Sequence, residues 1–412
     1  MGRLKLQGTL DPSFAPVAQA LLRHLDRGGG AAVCVYHRGV KVVDVWGGIR
    51  DQQRNPWVED TMAMSFSTSK GVVSTLLHIL ADRSQLDYDD PVCRHWPEFA
   101  QNGKQGITIR DVLTHRAGLP GIRSLIDGAE RILDWSYMVD VLARARPILP
   151  PGRVPAYHAL TYGWLAGEIA QRVAGRSLPD LIREELAEPL GLDGLYIGAP
   201  EAAKRRAASL ASPTSGLRRF ESLLTSRPIA ATLSFVNRAA FIPVDPLLMQ
   251  EALIPPGHAE VLFEPRILDI PVPAANGLFT ARSLARLYAA LAAGGTLDGV
   301  RLLSRGAVRL ASEVQTRERD RVLVLRPHWR LGYHSAFTSR GRVATGFGHF
   351  GYGGSGAWAD PARQLAVAMV NNNLGGGLIG DYRIAEIGTA AMLAARSLTA
   401  AANSVDVAEA LA

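Results

Sequence analysis

Two neighbouring segments near the start of the chain alternate apolar side chains with polar or small ones, as paired β-strands do. Residues Ala31 to Tyr36 and Val40 to Trp46 flank the short stretch His37-Arg38-Gly39, and this pattern predicts a β-hairpin. The next element differs, because residues 71–81 are apolar on nearly every face. A helix that is hydrophobic all round is buried inside its domain. We therefore predict a buried helix that begins near Ser67.

The rest of the chain divides into a helical middle and a strand-rich end. Mostly helical segments run to about residue 270, and an amphipathic helix follows Gly277. Its apolar positions are Leu284, Leu287, Tyr288 and Leu291. Strands are predicted from about residue 300 to 371 and a final helix from near Tyr382 to Leu393.

Strands at both ends with helices between them predict an α+β fold. We expect a central antiparallel sheet built from both termini and flanked by helices, with a mostly helical domain inserted into it. The α/β domain would comprise residues 1–85 and 271–412, and the helical domain residues 86–270. Residues 198–270 indicate either an insertion that roofs a pocket and sets the acyl size, or a plain surface excursion.

The first candidate for chemistry is Lys70, which stands in the sequence Ser67-Thr68-Ser69-Lys70. The chain has five lysines and forty arginines, and no other lysine has a serine three residues before it. Arginine keeps its proton in proteins, whereas a buried lysine can act as a base. Positions i and i+3 share a helix face, so the two side chains can meet. The alternative is a helix-capping serine beside a solvated lysine.

A second candidate is Tyr157, which follows a stiff loop rich in proline and glycine. A helix with apolar residues Leu165, Ile169 and Val173 comes next and ends at Gly175. A tyrosine held at this junction near a cationic lysine would ionise more easily and could relay a proton. The alternative is a core tyrosine whose hydroxyl is bonded to the backbone.

A third segment, from Gly346 to Asp360, is rich in glycine. It predicts a strand, a turn at Asp360-Pro361 and an apolar strand running back to Asn371. Glycines in a strand often mark a place where a ligand approaches the backbone. The stretch from Gly351 to Gly356 also matches the dinucleotide fingerprint G-x-G-x-x-G, but a turn rather than a helix follows, so we reject that interpretation.

Composition excludes several classes of protein. The two cysteines cannot form a disulfide framework, and the ten histidines show no metal-type cluster, so we expect neither metal nor cofactor. The first residues lack an apolar signal core, and no apolar run approaches the length of a membrane span. A cytoplasmic location without a membrane span is the default expectation. The pattern gives no indication of the oligomeric state.

The formal charge of +7 and the pI near 9.6 raise the question of nucleic-acid binding. The arginines are dispersed, however, and the densest patch combines Lys204-Arg205-Arg206 with Arg218-Arg219, where aromatic residues are sparse. A solvated basic face is the favoured interpretation, and at most it would favour anionic surfaces or substrates. We expect no nucleic-acid partner.

Taken together, the three segments resemble the serine β-lactamase and penicillin-binding-protein superfamily, most closely its esterase branch, the family VIII carboxylesterases. Ser67-Thr68-Ser69-Lys70 matches the S-x-x-K motif. Tyr157-His158-Ala159 stands where the family has Y-x-N or a variant, and His349-Phe350-Gly351 where it has K-T-G, H-x-G or W-x-G. The order and separation of the motifs also fit, and the likeness covers roughly residues 15 to 395.

The resemblance implies a β-lactamase/DD-peptidase-like fold and a set of roles for this chain. Ser67 would be the nucleophile, with Lys70 and Tyr157 sharing the role of base in an order that the sequence does not decide. The backbone N–H groups of Ser67 and Tyr352 would form the oxyanion hole. The substrate would be contacted by His349, Phe350, Gly351, Tyr352 and Ala159.

Two departures from the family pattern favour a small-molecule ester as substrate. Ala159 replaces an asparagine that holds the amide side chain of β-lactams, and His349 replaces a lysine that would attract a carboxylate. A neutral ester needs neither contact. Three hypotheses follow: a serine carboxylesterase acting on short to medium acyl or aryl esters through an acyl-enzyme; a β-lactamase, D-amino-acid peptidase, amidase or acyltransferase using the same site; and a catalytically silent ligand-binding protein.

Overall fold

A computed structural model describes residues 5–26, 28–210, 231–235, 237, 244–257, 259–374 and 381–410. The hairpin predicted from the alternating pattern is present as two long strands joined at Arg38-Gly39. The strands are β1 (Gln7–Leu10), β2 (Gly30–His37), β3 (Val40–Gly48), β4 (Ala63–Met64), β5 (Leu195–Tyr196), β6 (Leu278–Phe279), β7 (Thr296–Leu297), β8 (Val300–Arg301), β9 (His334–Thr338), β10 (Gly341–Phe350), β11 (Gly356–Asp360) and β12 (Leu365–Asn371).

The main sheet is antiparallel and draws its strands from both ends of the chain. Its order is β1-β3-β2-β12-β11-β10-β9, so the N-terminal hairpin and the C-terminal strands meet where β2 pairs with β12. Val35 faces Val367 in that pairing. A second sheet joins β4, β6 and β5. The predicted α+β architecture with an antiparallel sheet from both termini is confirmed.

Helices cover both faces of the main sheet. The α-helices of the whole described part, on the sheet and in the helical region, include α1 (Ala15–Leu25), α2 (Thr68–Asp82), α3 (Ile109–Leu113), α4 (Trp135–Arg144), α5 (Thr161–Ala174), α6 (Leu178–Ile182), α7 (Glu188–Leu190), α8 (Glu201–Lys204), α9 (Pro246–Leu253), α10 (Ala281–Ala292), α11 (Arg305–Ser312) and α12 (Arg383–Ala410). Neighbouring side chains of a strand point to opposite faces. Accordingly Val33 and Val35 pack with α1 and α12, whereas Cys34 packs in the cluster that contains α2 and α10.

Helix α2 lies in the larger of these two hydrophobic clusters, as its uniformly apolar sequence predicted. It begins directly after Ser67, and its residues are buried from Thr68 to Leu80. The same cluster extends into the helical region 86–270 through residues such as Leu113 and Leu165. The division into two domains stays a prediction, because one continuous core serves both regions.

Three expectations about the C-terminal part need correction. The stretch from residue 300 to 371 is not all strand, since α11 lies within it. The glycine-rich segment is two strands, β10 and β11, separated by a single 3-10 turn at Tyr352–Gly354, because bonds from distant residues hold that turn. The final helix continues to Ala410 rather than ending near Leu393.

The basic patch predicted as a solvated face is partly neutralised. Lys204 forms ion pairs with Glu201 and Asp269, and Arg206 bonds to Asp60 and Asp193. The other two arginines assigned to the patch, at 218 and 219, lie outside the described residues, as does much of the 198–270 segment. The absence of a nucleic-acid partner stays a prediction.

Candidate active site

Ser67 stands at the entrance to α2 on a bent backbone. The preceding residue, Phe66, has a φ of 45°, a left-handed conformation that is uncommon for a bulky residue and is often found at functional sites. The Ser67 side chain makes no capping bond to its own helix. Its hydroxyl therefore stays available to neighbouring side chains.

Lys70 lies one turn further along α2 and is fully buried. Its Nζ is 2.9 Å from the Oγ of Ser67, 2.7 Å from the carbonyl oxygen of Ala159 and 3.1 Å from that of Ala274. Burial lowers the pKa of Lys70 well below its ordinary value, because an ammonium ion loses its hydration there. This direction is the one predicted from the sequence.

The same three contacts fit an uncharged amine. A neutral lysine has two N–H groups and one lone pair, and two of its three neighbours are carbonyl oxygens that can only accept. If the carbonyls of Ala159 and Ala274 take the two N–H groups, the lone pair is directed at the hydroxyl of Ser67. The arrangement therefore suits the removal of the Ser67 proton.

Tyr157 completes the cluster from the other side of Ser67. Its hydroxyl donates to the Oγ of Ser67 at 2.7 Å, and the Nζ of Lys70 lies 4.9 Å from the centre of its ring. Burial raises the pKa of Tyr157 above that of an ordinary phenol. The expectation that a cationic lysine would ease its ionisation is wrong, because desolvation of the phenolate outweighs other influences and Lys70 is itself driven towards the neutral form.

The Tyr157 loop is held by groups that no sequence motif pointed to. The carboxylate of Asp320 accepts a bond from the Tyr157 N–H at 3.1 Å, and the ring of Trp329 stacks on Tyr157 with centroids 5.7 Å apart. The Ala156 N–H donates to the His115 carbonyl at 2.9 Å. Asp320 stands in Arg319-Asp320-Arg321, a charged run that looks solvated in sequence, so composition gave no signal for it.

The third motif lies at the end of β10, next to the start of α2. Gly351 is pressed against this start: a Cβ there would clash with the Ser65 carbonyl oxygen and come within 3.0 Å of the Thr68 hydroxyl. Its φ of −100° suits any residue, so lack of space alone requires glycine. The close neighbour at this glycine is therefore the start of α2, whereas sequence reasoning expected a ligand at the glycines.

The side chains of His349 and Phe350 point in different directions. His349 is buried on the Tyr157 side, with ring centroids 6.3 Å apart, and burial lowers its pKa well below the ordinary value, so the imidazole is neutral. Phe350 packs in the opposite cluster against the rings of His334 and Phe337. Of the two, only His349 shares the Tyr157 side of the sheet.

Tyr352 opens the turn that follows β10, and its ring meets that of Phe66 edge-on at 5.4 Å. The carbonyl of the next residue, Gly353, accepts bonds from Asn371 at 2.9 Å and from Arg383 at 2.6 Å. These bonds fix the turn from outside the motif. The oxyanion hole of the Ser67 and Tyr352 N–H groups stays a prediction.

Ala159 contributes its backbone to the cluster and its methyl group to an apolar wall. The carbonyl oxygen receives the Lys70 N–H at 2.7 Å. The side chain packs against a small cluster of buried residues: Ala156, Tyr157, Ala252, Val322 and Trp329. An apolar surface thus lies where an asparagine would offer an amide.

Two further surveys of the described residues bear on function. No group of three or more His, Cys, Asp or Glu side chains within the described ranges could hold a metal ion. No helix in that part of the chain is both long enough and apolar enough to cross a membrane.

Comparison with known proteins agrees with the geometry. The family model named Beta-lactamase matches residues 18–389. The chain belongs to the Beta-lactamase family. The resemblance inferred from the three motifs is thereby confirmed.

Individual relatives include proteins named as esterases. The Mycobacterium tuberculosis protein named Esterase/beta-lactamase LipL is 41% identical over 375 residues, which cover 89% of this chain and 83% of the relative. The crystal structure of a family VIII carboxylesterase matches with 31% identity and a TM-score of 0.81, over 95% of this chain and 100% of that one. A penicillin-binding protein homologue from Caulobacter crescentus matches with 34% identity and a TM-score of 0.79, over 94% and 100%.

Proposed function

We propose that this protein is a serine hydrolase that cleaves carboxylic esters with short to medium acyl or aryl groups. One observation carries the proposal: the Ser67 Oγ lies within hydrogen-bond distance of both the Lys70 Nζ, at 2.9 Å, and the Tyr157 hydroxyl, at 2.7 Å. A nucleophile beside a desolvated base is the arrangement that covalent acyl transfer needs. The names of the relatives, an esterase/β-lactamase and a family VIII carboxylesterase, support the same class of substrate.

Acylation uses the two neighbours of Ser67 for different proton transfers. Lys70 takes the hydroxyl proton as the Oγ attacks the ester carbonyl, and the resulting oxyanion is stabilised by the N–H groups of Ser67 and Tyr352. When the C–O bond of the ester breaks, Tyr157 gives its proton to the leaving alkoxide. The proton held by Lys70 then returns to the Tyr157 oxygen, so the pair is restored and an acyl-enzyme remains.

Deacylation repeats the sequence with water in place of the serine. Lys70 takes a proton from a water that attacks the acyl carbonyl, and the second tetrahedral intermediate occupies the same oxyanion hole. Breakdown of that intermediate returns a proton to the Ser67 Oγ and releases the carboxylic acid. The net reaction consumes one ester and one water and forms one acid and one alcohol.

The wall of the site favours neutral substrates. Ala159 presents a methyl group where an amide-binding asparagine would stand, and the buried His349 carries no charge that would attract a carboxylate. β-Lactam hydrolysis by the same groups is the second candidate function, because the name of the 41% identical relative includes it. Turnover of p-nitrophenyl butyrate and of a chromogenic cephalosporin separates the two, and a much faster cleavage of the cephalosporin would contradict the ester preference.

A covalent probe tests the proposal as a whole. Treatment with a fluorophosphonate should add one phosphonyl group to Ser67, detected by peptide mass spectrometry, and Ser67→Ala should lose both the label and ester turnover. Ser74→Ala is the matched control, since Ser74 lies in the same helix but bonds to the Lys70 and Gly332 carbonyls. That variant should still be labelled at Ser67. An unlabelled wild-type protein would point to the silent binding protein instead.

A further inference from the structure

Asp320 lies behind the Tyr157 loop and has no contact with Ser67 or Lys70 among the described hydrogen bonds. Its side chain is completely buried. The Oδ1 atom accepts bonds from three backbone N–H groups, those of Tyr157 at 3.1 Å, Val322 at 2.9 Å and Leu323 at 2.9 Å. The Oδ2 atom accepts a bond from the indole Nε1 of Trp329 at 3.0 Å.

Both oxygens of the Asp320 carboxylate help to hold Tyr157, one directly and one through Trp329. Oδ1 holds the backbone of Tyr157 directly. Oδ2 holds Trp329, whose ring is almost parallel to that of Tyr157, with an angle of 5° between the planes. The Arg321 N–H adds a bond to the Pro155 carbonyl at 2.9 Å, so residues 320 and 321 both attach to the tyrosine loop.

A carboxylate buried at this depth is unfavourable unless donors surround it. Four N–H groups donate to Asp320. Removing this buried acceptor would leave each of those donors unpaired. Asp320 also acts on Tyr157 through its charge, since after burial it is a further cause that raises the pKa of the phenol. The phenol thereby keeps the proton that it has to donate.

We propose that Asp320 is a positioning residue that fixes the Tyr157 hydroxyl where it can protonate the leaving alkoxide. The inference rests on the proposed ester hydrolysis. It predicts a defect that depends on the leaving group, because ethoxide is a strong base that needs a proton, whereas p-nitrophenolate leaves without one. A residue needed only for folding would affect both substrates alike.

The experiment compares kcat/KM for ethyl butyrate and p-nitrophenyl butyrate in wild-type protein and in Asp320→Asn, since kcat/KM reports the steps through acylation. Asparagine keeps the shape but removes the charge and turns one acceptor into a donor. We expect the loss on the ethyl ester to exceed the loss on the p-nitrophenyl ester by about tenfold or more. In a Tyr157→Phe background the same substitution should have little further effect, because its action passes through the phenol.

Asp360→Asn is the matched control, since Asp360 is equally buried but bonds to Thr345 and Arg363 at the far end of β11. It should lower thermal stability without any selective loss. Equal losses on both esters in Asp320→Asn, or losses that add to those of Tyr157→Phe, would overturn the proposal.

If Asp320→Asn does not fold, Trp329→Phe decides the question. It removes the indole donor to Oδ2 but keeps an aromatic ring against Tyr157. A selective loss on the ethyl ester supports the proposal, and an unchanged ratio of the two substrates refutes it. Failure of the ester hydrolysis itself would be seen separately, as a wild-type protein that cleaves neither ester, and the inference would fall with it.

Discussion

The Ser67 hydroxyl is hydrogen-bonded to two side chains, Lys70 and Tyr157, whose ordinary pKa values both lie above neutrality. Burial acts on the two in opposite directions, lowering the pKa of Lys70 and raising that of Tyr157, because each is driven towards its uncharged form. An uncharged lysine is a base and an uncharged tyrosine is an acid. These directions support the proposed division of roles, with Lys70 as base and Tyr157 as acid, because pairs whose pKa values are separated mark acid–base assignments.

The pH profile of kcat/KM for ethyl butyrate should follow from these directions. Activity rises with pH as Lys70 loses its proton, at a pH below the ordinary lysine range, and falls in alkali only when Tyr157 ionises. Both limbs belong to the coupled pair rather than to one residue. Lys70→Arg should be nearly inactive at every pH, since arginine keeps its proton.

Lys41→Arg is the control, because Lys41 is a partly exposed lysine paired with Asp44. Its profile should match the wild type. Substantial activity of Lys70→Arg in the alkaline range would refute the assignment of Lys70 as the base.

At the scale of single residues, the sequence predicted the contacts that depend only on the spacing of residues along one helix. Ser67 and Lys70 are three positions apart in one helix, so their contact follows from helical geometry. Asp320 and Trp329 reach Tyr157 only through tertiary folding. A charged run such as Arg319-Asp320-Arg321 predicts solvent exposure. The burial of Asp320 depends on the local N–H groups of Val322 and Leu323 and on donors that Tyr157 and Trp329 contribute.

At the scale of elements, the site is the junction between the start of α2 and the end of β10. The Ser65 N–H bonds to the Gly277 carbonyl at 2.8 Å, which anchors the residues before the helix to the neighbouring segment. Gly351 then lies directly against Ser65. The missing side chain at position 351 therefore lets the end of β10 lie directly against the residues at the start of α2.

Gly351→Ala tests this junction. A methyl group would meet the Ser65 carbonyl oxygen and push β10 away from α2, and small displacements in an active site can reduce rates about hundredfold. We expect kcat/KM for p-nitrophenyl butyrate to fall by about that factor in the folded protein. Gly106→Ala, where an added Cβ has nothing within 4 Å, should keep wild-type activity. Equal activity of the two variants would show that the close approach is not needed.

The turn at Tyr352–Gly354 marks the limit of prediction at this scale. The glycines indicated a close approach by a ligand, whereas the neighbour of Gly351 is the Ser65 carbonyl, and they did not reveal where one strand ends and the next begins. That break depends on Asn371 and Arg383, which bond to the Gly353 carbonyl. Neither contact has a signature in the local sequence.

At the scale of the whole molecule, the sheet is covered on both faces, which explains why β2 is buried along its entire length. Successive side chains of β2 therefore enter two different hydrophobic clusters, rather than alternating between the core and solvent. One face carries α1 and α12, and the other carries α2, which includes Lys70, and α10. The pattern predicted the N-terminal hairpin and strands near both ends, and the layout together with the family resemblance predicted a sheet built from both termini. Neither specified that β2 pairs with β12 or that α11 lies among the C-terminal strands.

Ile387→Ala should separate stability from activity. Ile387 is completely buried between α12 and the face of the sheet opposite to the site, so its truncation should lower the free energy of unfolding by about 2–4 kcal/mol. Denaturant unfolding measures that change, and kcat/KM of the folded fraction should stay at the wild-type value. Val40→Ala, at a residue that is 63% exposed, should change stability by less than about 0.5 kcal/mol. A fall in activity of the folded Ile387 variant would show that the two faces are coupled.

The pairing of β2 with β12 also constrains how the protein is made. A ribosome has to deliver Leu365 to Asn371 before Gly30 to His37 can find their second partner. Until β12 is made, the growing polypeptide therefore carries a long apolar strand with one open edge, while Ser67 and the segment around Gly351 are still apart. The sheet beside Ser67 can be completed only after β12 has been synthesised, and nascent chains of this protein should depend on protection from aggregation until then.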